Sequence, residues 1–199
     1  MENFYVDESG PFEHPALPTS YWHPHWYAVY TNSNHERRIA EHLSARAVEY
    51  FLPLYESVRR WKDRRVTLQI PLFPNYIFVY TALRDRLRVL QIPGVVNLVG
   101  VNGTPSVICA EEIRALRKGL ELGIRAEPYP YLSVGRHVRV VGGPLAGVEG
   151  VLLERKNRTR VVISLGAIRR SVAVEIGVKD IRPIRVLVGS PRKDSSTEC

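Results

Sequence analysis

Apolar and polar residues alternate in two different ways along this chain, and the change between them divides it in two. Up to about residue 125, runs of β-type composition alternate with segments in which apolar residues recur every three or four positions. Beyond that point helical spacing is absent, and short strand-like runs are separated by glycine-containing turns. The pattern predicts a mixed first domain and an all-β second domain.

The first domain is predicted to begin with a strand at residues 26–31. A helix follows, capped by residues 32–34, with Ile39, Leu43 and Ala47 on one apolar face. The remaining elements are strands at 50–55, 76–81 and 95–101, a hairpin at 56–70, a short helix at 84–90 and a helix at 110–122. This order predicts an α+β fold in which helices flank a mainly antiparallel sheet.

The second domain is predicted to be a small five-stranded barrel. Its strands are expected at residues 137–141, 150–155, 160–165, 170–176 and 180–184. Gly143, Gly147 and Gly150 lie at the corners, where a positive φ or a close backbone approach is needed. The expected organisation is a disordered leader (1–23), the α+β domain (24–125), a linker (126–133), the barrel (134–186) and a polar tail (187–199).

Pro71 and Pro74 flank an apolar turn that leads directly into the predicted strand at residues 76–81. Each proline fixes φ and lacks a backbone N–H, so the loop should be stiff. It carries Leu72, Phe73 and Tyr76, whose exposure to water would be unfavourable. Either the loop covers the core of its own domain or it forms a docking surface for another protein.

The formal net charge of +8 suits a polyanionic partner, although a merely basic soluble protein would show it too. Basic side chains collect on the first long helix and at the tip of the predicted hairpin. They are Arg37, Arg38, His42 and Arg46 on the helix, and Arg59, Arg60, Lys62, Arg64 and Arg65 near the tip. Each set can contact a nucleic-acid backbone or serve only as solvated surface.

No pattern in the chain indicates catalysis or a cofactor. Paired carboxylates in a motif, a phosphate-binding glycine loop and a nucleophile signature are all absent from the sequence. Cys109 and Cys199 lie far apart and match neither a disulfide framework nor a metal-binding pattern, so we expect a cytoplasmic protein. No apolar run approaches the ~20 residues that cross a bilayer, so we expect no membrane association.

Four motifs occur together in one order: Trp26-Tyr27, residues 71–76 (PLFPNY), residues 92–95 (IPGV) and the glycine-rich residues 134–150. In this combination the chain resembles the NusG family of transcription elongation factors, which join a NusG N-terminal domain to a KOW domain. The first domain is most similar to the RfaH-like branch of specialised antiterminators. The resemblance covers residues 24–186.

The resemblance implies an elongation or antitermination factor that reduces pausing or termination on specific operons. It implies docking of the first domain on the β′ clamp helices of RNA polymerase, with an extension toward the β subunit. The matching positions for this contact are Tyr30, Phe73, Tyr76 and Phe78, with Pro74 shaping the loop. Arg38 and His42 match positions that contact the non-template DNA strand in the RfaH-like branch. We expect the protein to be a monomer.

For the second domain, the resemblance implies binding to ribosomal protein S10 or to Rho. Ile168 and Arg170 align near the loop used for these contacts. Departures from the RfaH-like pattern at Asn32 and Ile92-Pro93 imply a different recruitment sequence, or none. The alternative is a KOW-type ribosomal or RNA-binding protein acting in translation, which the net charge would suit equally well and which the first domain argues against.

Overall fold

The structure is a computed structural model that describes residues 19–61, 64–129, 137–155 and 158–184. Most of the predicted leader, all of the predicted polar tail and Lys62 lie outside the described residues. The last part of the predicted leader is helical, at Thr19–Trp22.

The first domain is an α+β unit built on one antiparallel sheet. Its elements are α1 (Thr19–Trp22), β1 (His25–Thr31), α2 (Glu36–Ala45), β2 (Glu49–Phe51), β3 (Leu54–Trp61), β4 (Arg64–Pro71), β5 (Tyr76–Thr81), α3 (Leu87–Leu90), β6 (Val95–Leu98), β7 (Gly100–Val101), β8 (Thr104–Pro105), β9 (Val107–Ile108) and α4 (Ala110–Glu121). The sheet runs β2-β5-β1-β6, with β9 also paired to β1. Its central strand, β1, is therefore the first strand of the described residues.

One face of this sheet packs on α2. Successive side chains of a strand point to opposite faces, so alternate residues of β1 and β5 reach the helix. The buried cluster on this side contains Tyr27, Val29, Ile77 and Val79 of the sheet with Ile39 and Leu43 of α2. Ile39 and Leu43 are four residues apart, the spacing that places two side chains on one helix face.

Two hairpins extend from the first domain. β3 pairs with β4 from Leu54 opposite Pro71 to Trp61 opposite Arg64, slightly longer than the predicted hairpin. β7 pairs with β8 across Asn102-Gly103, where both residues have positive φ (50° and 79°). Positive φ at both positions is typical of a tight two-residue hairpin loop, so this turn is the one that the Asn-Gly pair predicts.

The C-terminal domain, residues 126–184, is an antiparallel six-stranded sheet. Its strands are β10 (Ala126–Tyr129), β11 (His137–Val140), β12 (Glu149–Arg155), β13 (Arg158–Leu165), β14 (Arg170–Glu175) and β15 (Ile181–Pro183), in the order β10-β14-β13-β12-β11-β15. β11 to β15 correspond to the five strands expected from the sequence. β10 lies inside the predicted linker, which therefore contributes an additional strand.

The three predicted corner glycines serve two different purposes. Gly143 and Gly147 have φ of 76° and 92°, in the region that L side chains rarely adopt. Gly150 faces β13 so closely that a Cβ would lie 2.6 Å from Cγ1 of Val161. A side chain at residue 150 would therefore force β12 and β13 apart.

Cys109 is the N-cap residue of α4. Over the described part of the chain, no helix is long and apolar enough to span a membrane. The same residues contain no group of three His, Cys, Asp or Glu side chains that could hold a metal ion.

Candidate docking face and basic surface

The sheet face opposite α2 is lined with aromatic rings. In the register of β1 and β5, Tyr30 lies opposite Tyr76 and Trp26 opposite Tyr80. Their ring centroids are 5.4 Å and 5.5 Å apart, within the range of favourable aromatic pairs. We call this surface the aromatic face; its members are Trp26, Tyr30, Phe51, Tyr76, Phe78 and Tyr80.

The turn at residues 73–76 lies at one end of the aromatic face. The Tyr76 N–H donates to the Phe73 carbonyl over 3.1 Å, and Asn75 between them has a φ of 70°. Asparagine tolerates this left-handed conformation better than most residues, and proline suits the position before it. The turn is also tied to β1, because the Thr31 N–H donates to the Asn75 carbonyl over 2.9 Å. Pro74 itself is exposed.

The structure buries two of the residues predicted to contact polymerase. Phe73 and Phe78 are 1% and 0% exposed, and their rings form an edge-to-face pair at 5.6 Å. Tyr30 is 37% exposed and Tyr76 is half-buried. In this arrangement only Tyr30, Pro74 and Tyr76 of the predicted set present surface to a partner.

Burial of the aromatic face comes partly from α4. The Arg117 guanidinium lies 5.4 Å from the Trp26 ring centroid and 5.2 Å from that of Phe51, close enough for cation–π attraction. The same guanidinium is 3.5 Å from the Glu49 carboxyl group. Ile113 and Leu116 of α4 belong to the buried cluster that contains Phe73 and Phe78.

The C-terminal domain joins the same buried cluster. Its contributions include Val138, Val140, Leu145, Val161, Ile163, Leu165, Ile168, Val172 and Val174. Leu145 approaches α4 so closely that a Cβ on Gly119 would lie 3.1 Å from its Cδ2 atom. The Arg170 guanidinium lies 5.9 Å from the Tyr76 ring centroid. The aromatic face is therefore partly covered by α4 and by the C-terminal domain.

The two predicted partner-binding residues of the C-terminal domain differ in accessibility. Ile168, at the end of a 3-10 turn, is 5% exposed and belongs to the buried cluster. Arg170 is exposed and begins β14. Arg170, which is predicted to bind the partner of the C-terminal domain, thus lies against Tyr76, which is predicted to bind polymerase.

The predicted basic residues of α2 lie on the other side of the first domain. Arg37 and Arg38 are exposed and His42 is half-buried, with Arg38 and His42 one turn apart on the helix. The Arg37 guanidinium donates to the Gln69 carbonyl of β4 over 2.7 Å. This bond joins α2 to the base of the β3–β4 hairpin.

The predicted basic residues of the hairpin lie on both of its strands. Arg59 and Arg60 lie on β3 opposite Val66 and Arg65 of β4, and Arg64 is exposed. The side chains of Arg59 and Arg60 lie outside the described residues. The hairpin and α2 together form what we call the basic surface.

A contact that sequence reasoning missed extends this surface. Arg46, just after α2, donates to the Arg88 carbonyl over 2.6 Å, and the Arg88 guanidinium donates to the Arg46 carbonyl. Both acceptors are neutral, so the two positive charges are not compensated by these bonds. Since the partners are 42 positions apart, no local sequence signal indicates the pair.

The Tyr27 side chain is buried in the core between the sheet and α2. Tyr27 is 0% exposed, and burial raises the pKa of its phenol, while the Ser20 side chain partly offsets the rise. Within the described structure, the Tyr27 hydroxyl makes no hydrogen bond of normal length and angle. Tyr27 faces α2 and not the aromatic face.

The first domain thus carries an aromatic face and a separate basic surface, and it is followed by an all-β second domain. Residues 24–117 match the family described as transcription termination factor NusG. Residues 24–117 therefore form a domain of the NusG family, whose members are transcription factors and not enzymes.

Similarity to individual NusG proteins extends beyond this domain. The transcription termination/antitermination protein NusG of Rickettsia felis is 28% identical over 155 residues, which cover 70% of this chain and 81% of the relative. The protein of the same name from Staphylococcus aureus is 25% identical over 175 residues, covering 80% and 95%. Over most of its length the chain is thus similar to NusG termination/antitermination proteins.

The fold is also similar to a solved structure, described as domain interaction in Thermotoga maritima NusG. The match has a TM-score of 0.52 and 22% sequence identity, and it covers 82% of this chain and 99% of the other. The similarity supports the overall α+β architecture with mostly antiparallel sheets.

Proposed function

We propose that this protein is a transcription elongation and antitermination factor that binds RNA polymerase through its aromatic face. The observation that carries the proposal is the rigid turn at residues 73–76, presented at the end of that face in a NusG-family domain. The partner surface is the pair of clamp helices of the β′ subunit, with the rest of the domain reaching toward the β subunit. Tyr30, Pro74 and Tyr76 make first contact because they are accessible.

Phe73 and Phe78 contribute to polymerase binding only after the covering elements move. Burying large aromatic anchors supplies most of the binding energy in many protein interfaces. In the present arrangement the anchors are buried within the protein itself, so polymerase and the C-terminal domain compete for one surface. Polymerase binding therefore releases the C-terminal domain.

The C-terminal domain acts as a KOW domain that contacts ribosomal protein S10 or Rho through the region of Ile168 and Arg170. Arg170 lies against Tyr76, and Ile168 is buried in the cluster shared with the first domain. Each domain thus covers residues that the other domain needs for its partner. Release by polymerase makes the C-terminal surface available at the transcribing complex.

The basic surface binds the non-template DNA strand in this proposal. Arg38 and His42 project from one side of α2, and the hairpin joined to it adds Arg64. Cationic side chains of this kind bind nucleic-acid backbones with a strong dependence on salt. Recruitment to particular operons would depend on this surface together with the polymerase contact.

Affinity purification of the full-length chain tests the proposal against the translation alternative. We expect the β′ and β subunits of RNA polymerase to be recovered in similar amounts with and without nuclease treatment. Nuclease treatment matters because a basic protein can retain polymerase indirectly through nucleic acid. Recovery of ribosomal RNA without polymerase subunits would establish the ribosomal alternative instead.

A further inference from the structure

Part of the connection between the two domains is a strand, β10. α4 ends at Glu121 and β10 begins at Ala126, so only residues 122–125 lie between them. β10 then pairs with β14 over four positions, from Ala126 opposite Val174 to Tyr129 opposite Ser171. The Glu175 N–H adds a further bond to the Arg125 carbonyl over 3.2 Å. The chain thus passes from α4 directly into the sheet of the C-terminal domain.

Side chains reinforce this pairing across three strands. The Arg160 guanidinium on β13 donates to the Glu127 carboxyl group on β10 and, over 3.4 Å, to that of Glu175 on β14. The Arg160 side chain is 21% exposed, so its bonds are less weakened by solvent than those of a fully exposed pair. Ala126, at the start of β10, is buried in the cluster shared by the two domains.

Pairing of β10 limits how far the C-terminal domain can move. An extended chain spans at most about 3.5 Å per residue, so residues 122–125 alone reach about 14 Å. If β10 leaves β14, the connection becomes residues 122–136 and reaches about 50 Å. A domain held on the shorter connection stays beside α4 and returns to the aromatic face at a high effective concentration.

We propose that β10 is a detachable strand whose pairing with β14 keeps the C-terminal domain on the aromatic face. The protein then has two states, one with β10 paired to β14 and one with β10 released. With β10 paired, the short connection holds the domain over Phe73 and Phe78; with β10 released, the domain can separate from the face. The role of the aromatic face in polymerase binding rests on the function proposed above, but the effect of β10 on domain separation does not.

The test uses the full-length protein without polymerase and measures ¹⁵N relaxation of backbone amides in each domain. We expect one rotational correlation time for both domains of the unmodified chain. In Glu127→Arg, a positive charge faces Arg160, β10 pairing weakens, and the C-terminal correlation time should fall by about half relative to the first domain. Glu41→Arg, with the same charge change on the exposed side of α2, should leave one common value.

A pair of insertions separates the role of β10 from a general effect of charge. Six Gly/Ser residues inserted between Ile124 and Arg125 lengthen the connection before β10, so they should free the C-terminal domain while β10 remains paired. The same six residues inserted after Tyr129 lie beyond the paired strand and should leave the domains together. Equal effects of the two insertions, or a single correlation time in Glu127→Arg, would overturn the proposal.

The spectra also report whether each variant is folded. Well-dispersed amide signals from residues 137–184 show that the C-terminal sheet persists, so independent motion is not confused with unfolding. Because polymerase is absent, failure of the β10 proposal leaves the polymerase-binding proposal untouched. Conversely, loss of polymerase binding would not alter the relaxation result.

Discussion

Glu36 holds the turn at residues 73–76 through Asn75. Its Oε1 atom accepts a hydrogen bond from the Asn75 backbone N–H over 2.8 Å, although the two residues are 39 positions apart. Glu36 is only 4% exposed and lies in the first turn of α2, where an acidic side chain is favourably placed. The helix of the basic surface and the turn at the end of the aromatic face are therefore joined by one buried side chain.

Two variants of Glu36 should show whether its hydrogen bond to Asn75, and not only the volume of its side chain, stabilises the fold. Glu36→Ala leaves the Asn75 N–H without its acceptor in a poorly hydrated site, which should lower the free energy of unfolding by about 1–3 kcal/mol. Glu36→Gln keeps a side-chain oxygen that can accept the bond, so the loss should be smaller. Urea unfolding of both variants gives the comparison. Equal losses would show that the hydrogen bond to Asn75 contributes little.

Tyr76 is the accessible aromatic residue best placed to test polymerase binding. Tyr76→Ala should weaken the affinity for core RNA polymerase by about 2 kcal/mol, or roughly 30-fold, as expected for an aromatic anchor. Tyr76→Phe keeps the ring and serves as the control. We would measure both by titration against labelled polymerase. Unchanged affinity in Tyr76→Ala would remove this residue from the interface.

Phe73 is less suitable for that experiment. Because the side chain is 1% exposed, Phe73→Ala creates a cavity that costs about 3–5 kcal/mol of stability. A loss of polymerase binding in this variant would not distinguish contact from unfolding.

Arg38→Ala should weaken binding to single-stranded DNA and reduce its dependence on salt. Removing one phosphate contact lowers the slope of log affinity against log salt concentration by about 0.7 for a single strand. Lys118→Ala, an exposed cation on α4, removes the same charge away from the basic surface. Fluorescence anisotropy at several salt concentrations checks both variants. If Arg38→Ala and Lys118→Ala change the slope equally, net charge alone explains the binding.

The contact between Arg170 and Tyr76 should oppose polymerase binding. A cation–π contact at such a partly exposed site is worth about 0.5–1 kcal/mol, so Arg170→Ala should raise the polymerase affinity by up to about fivefold. Arg182→Ala, an exposed cation on β15, is the matched control. Surface plasmon resonance with immobilised polymerase gives both values. Weaker binding of Arg170→Ala would indicate that Arg170 itself contacts polymerase.

Tyr27 should make stability fall at alkaline pH. Because burial raises the pKa of its phenol, the unfolded chain releases this proton first as the pH rises through about 10, which favours unfolding. Tyr27→Phe removes the hydroxyl and hence this part of the pH dependence. Tyr80→Phe, at a 37% exposed position, should retain it. A Tyr27→Phe curve parallel to that of the unmodified chain up to pH 11 would contradict this prediction.

Local patterns in the sequence were sufficient for most individual elements. The helix predicted at residues 110–122 corresponds to α4 at Ala110–Glu121, because Ile113 and Leu116 recur at helical spacing. The five strands of the second domain were also expected, since glycines mark their corners. These signals depend on residues a few positions apart, so they can be read without knowing the tertiary contacts.

Long-range relationships were not predictable in the same way. β10 looks like a linker because Pro128 interrupts it, and its partner β14 lies more than forty positions further along the chain. Pro128 is tolerated because β10 ends the strand order of its sheet. The loop that carries Phe73 was expected either to cover the core of its own domain or to form a docking surface. Phe73 is in fact buried, but in a cluster that also includes residues of the other domain.

The position of β14 also orders events during synthesis. All strands of the first sheet lie before residue 109, whereas the strand that pairs with β10 ends at Glu175. Since domains fold as they emerge from the ribosome, the first domain can fold while the aromatic face has no C-terminal domain to cover it. For that interval, the nascent chain leaves exposed the part of the aromatic face that the finished protein covers.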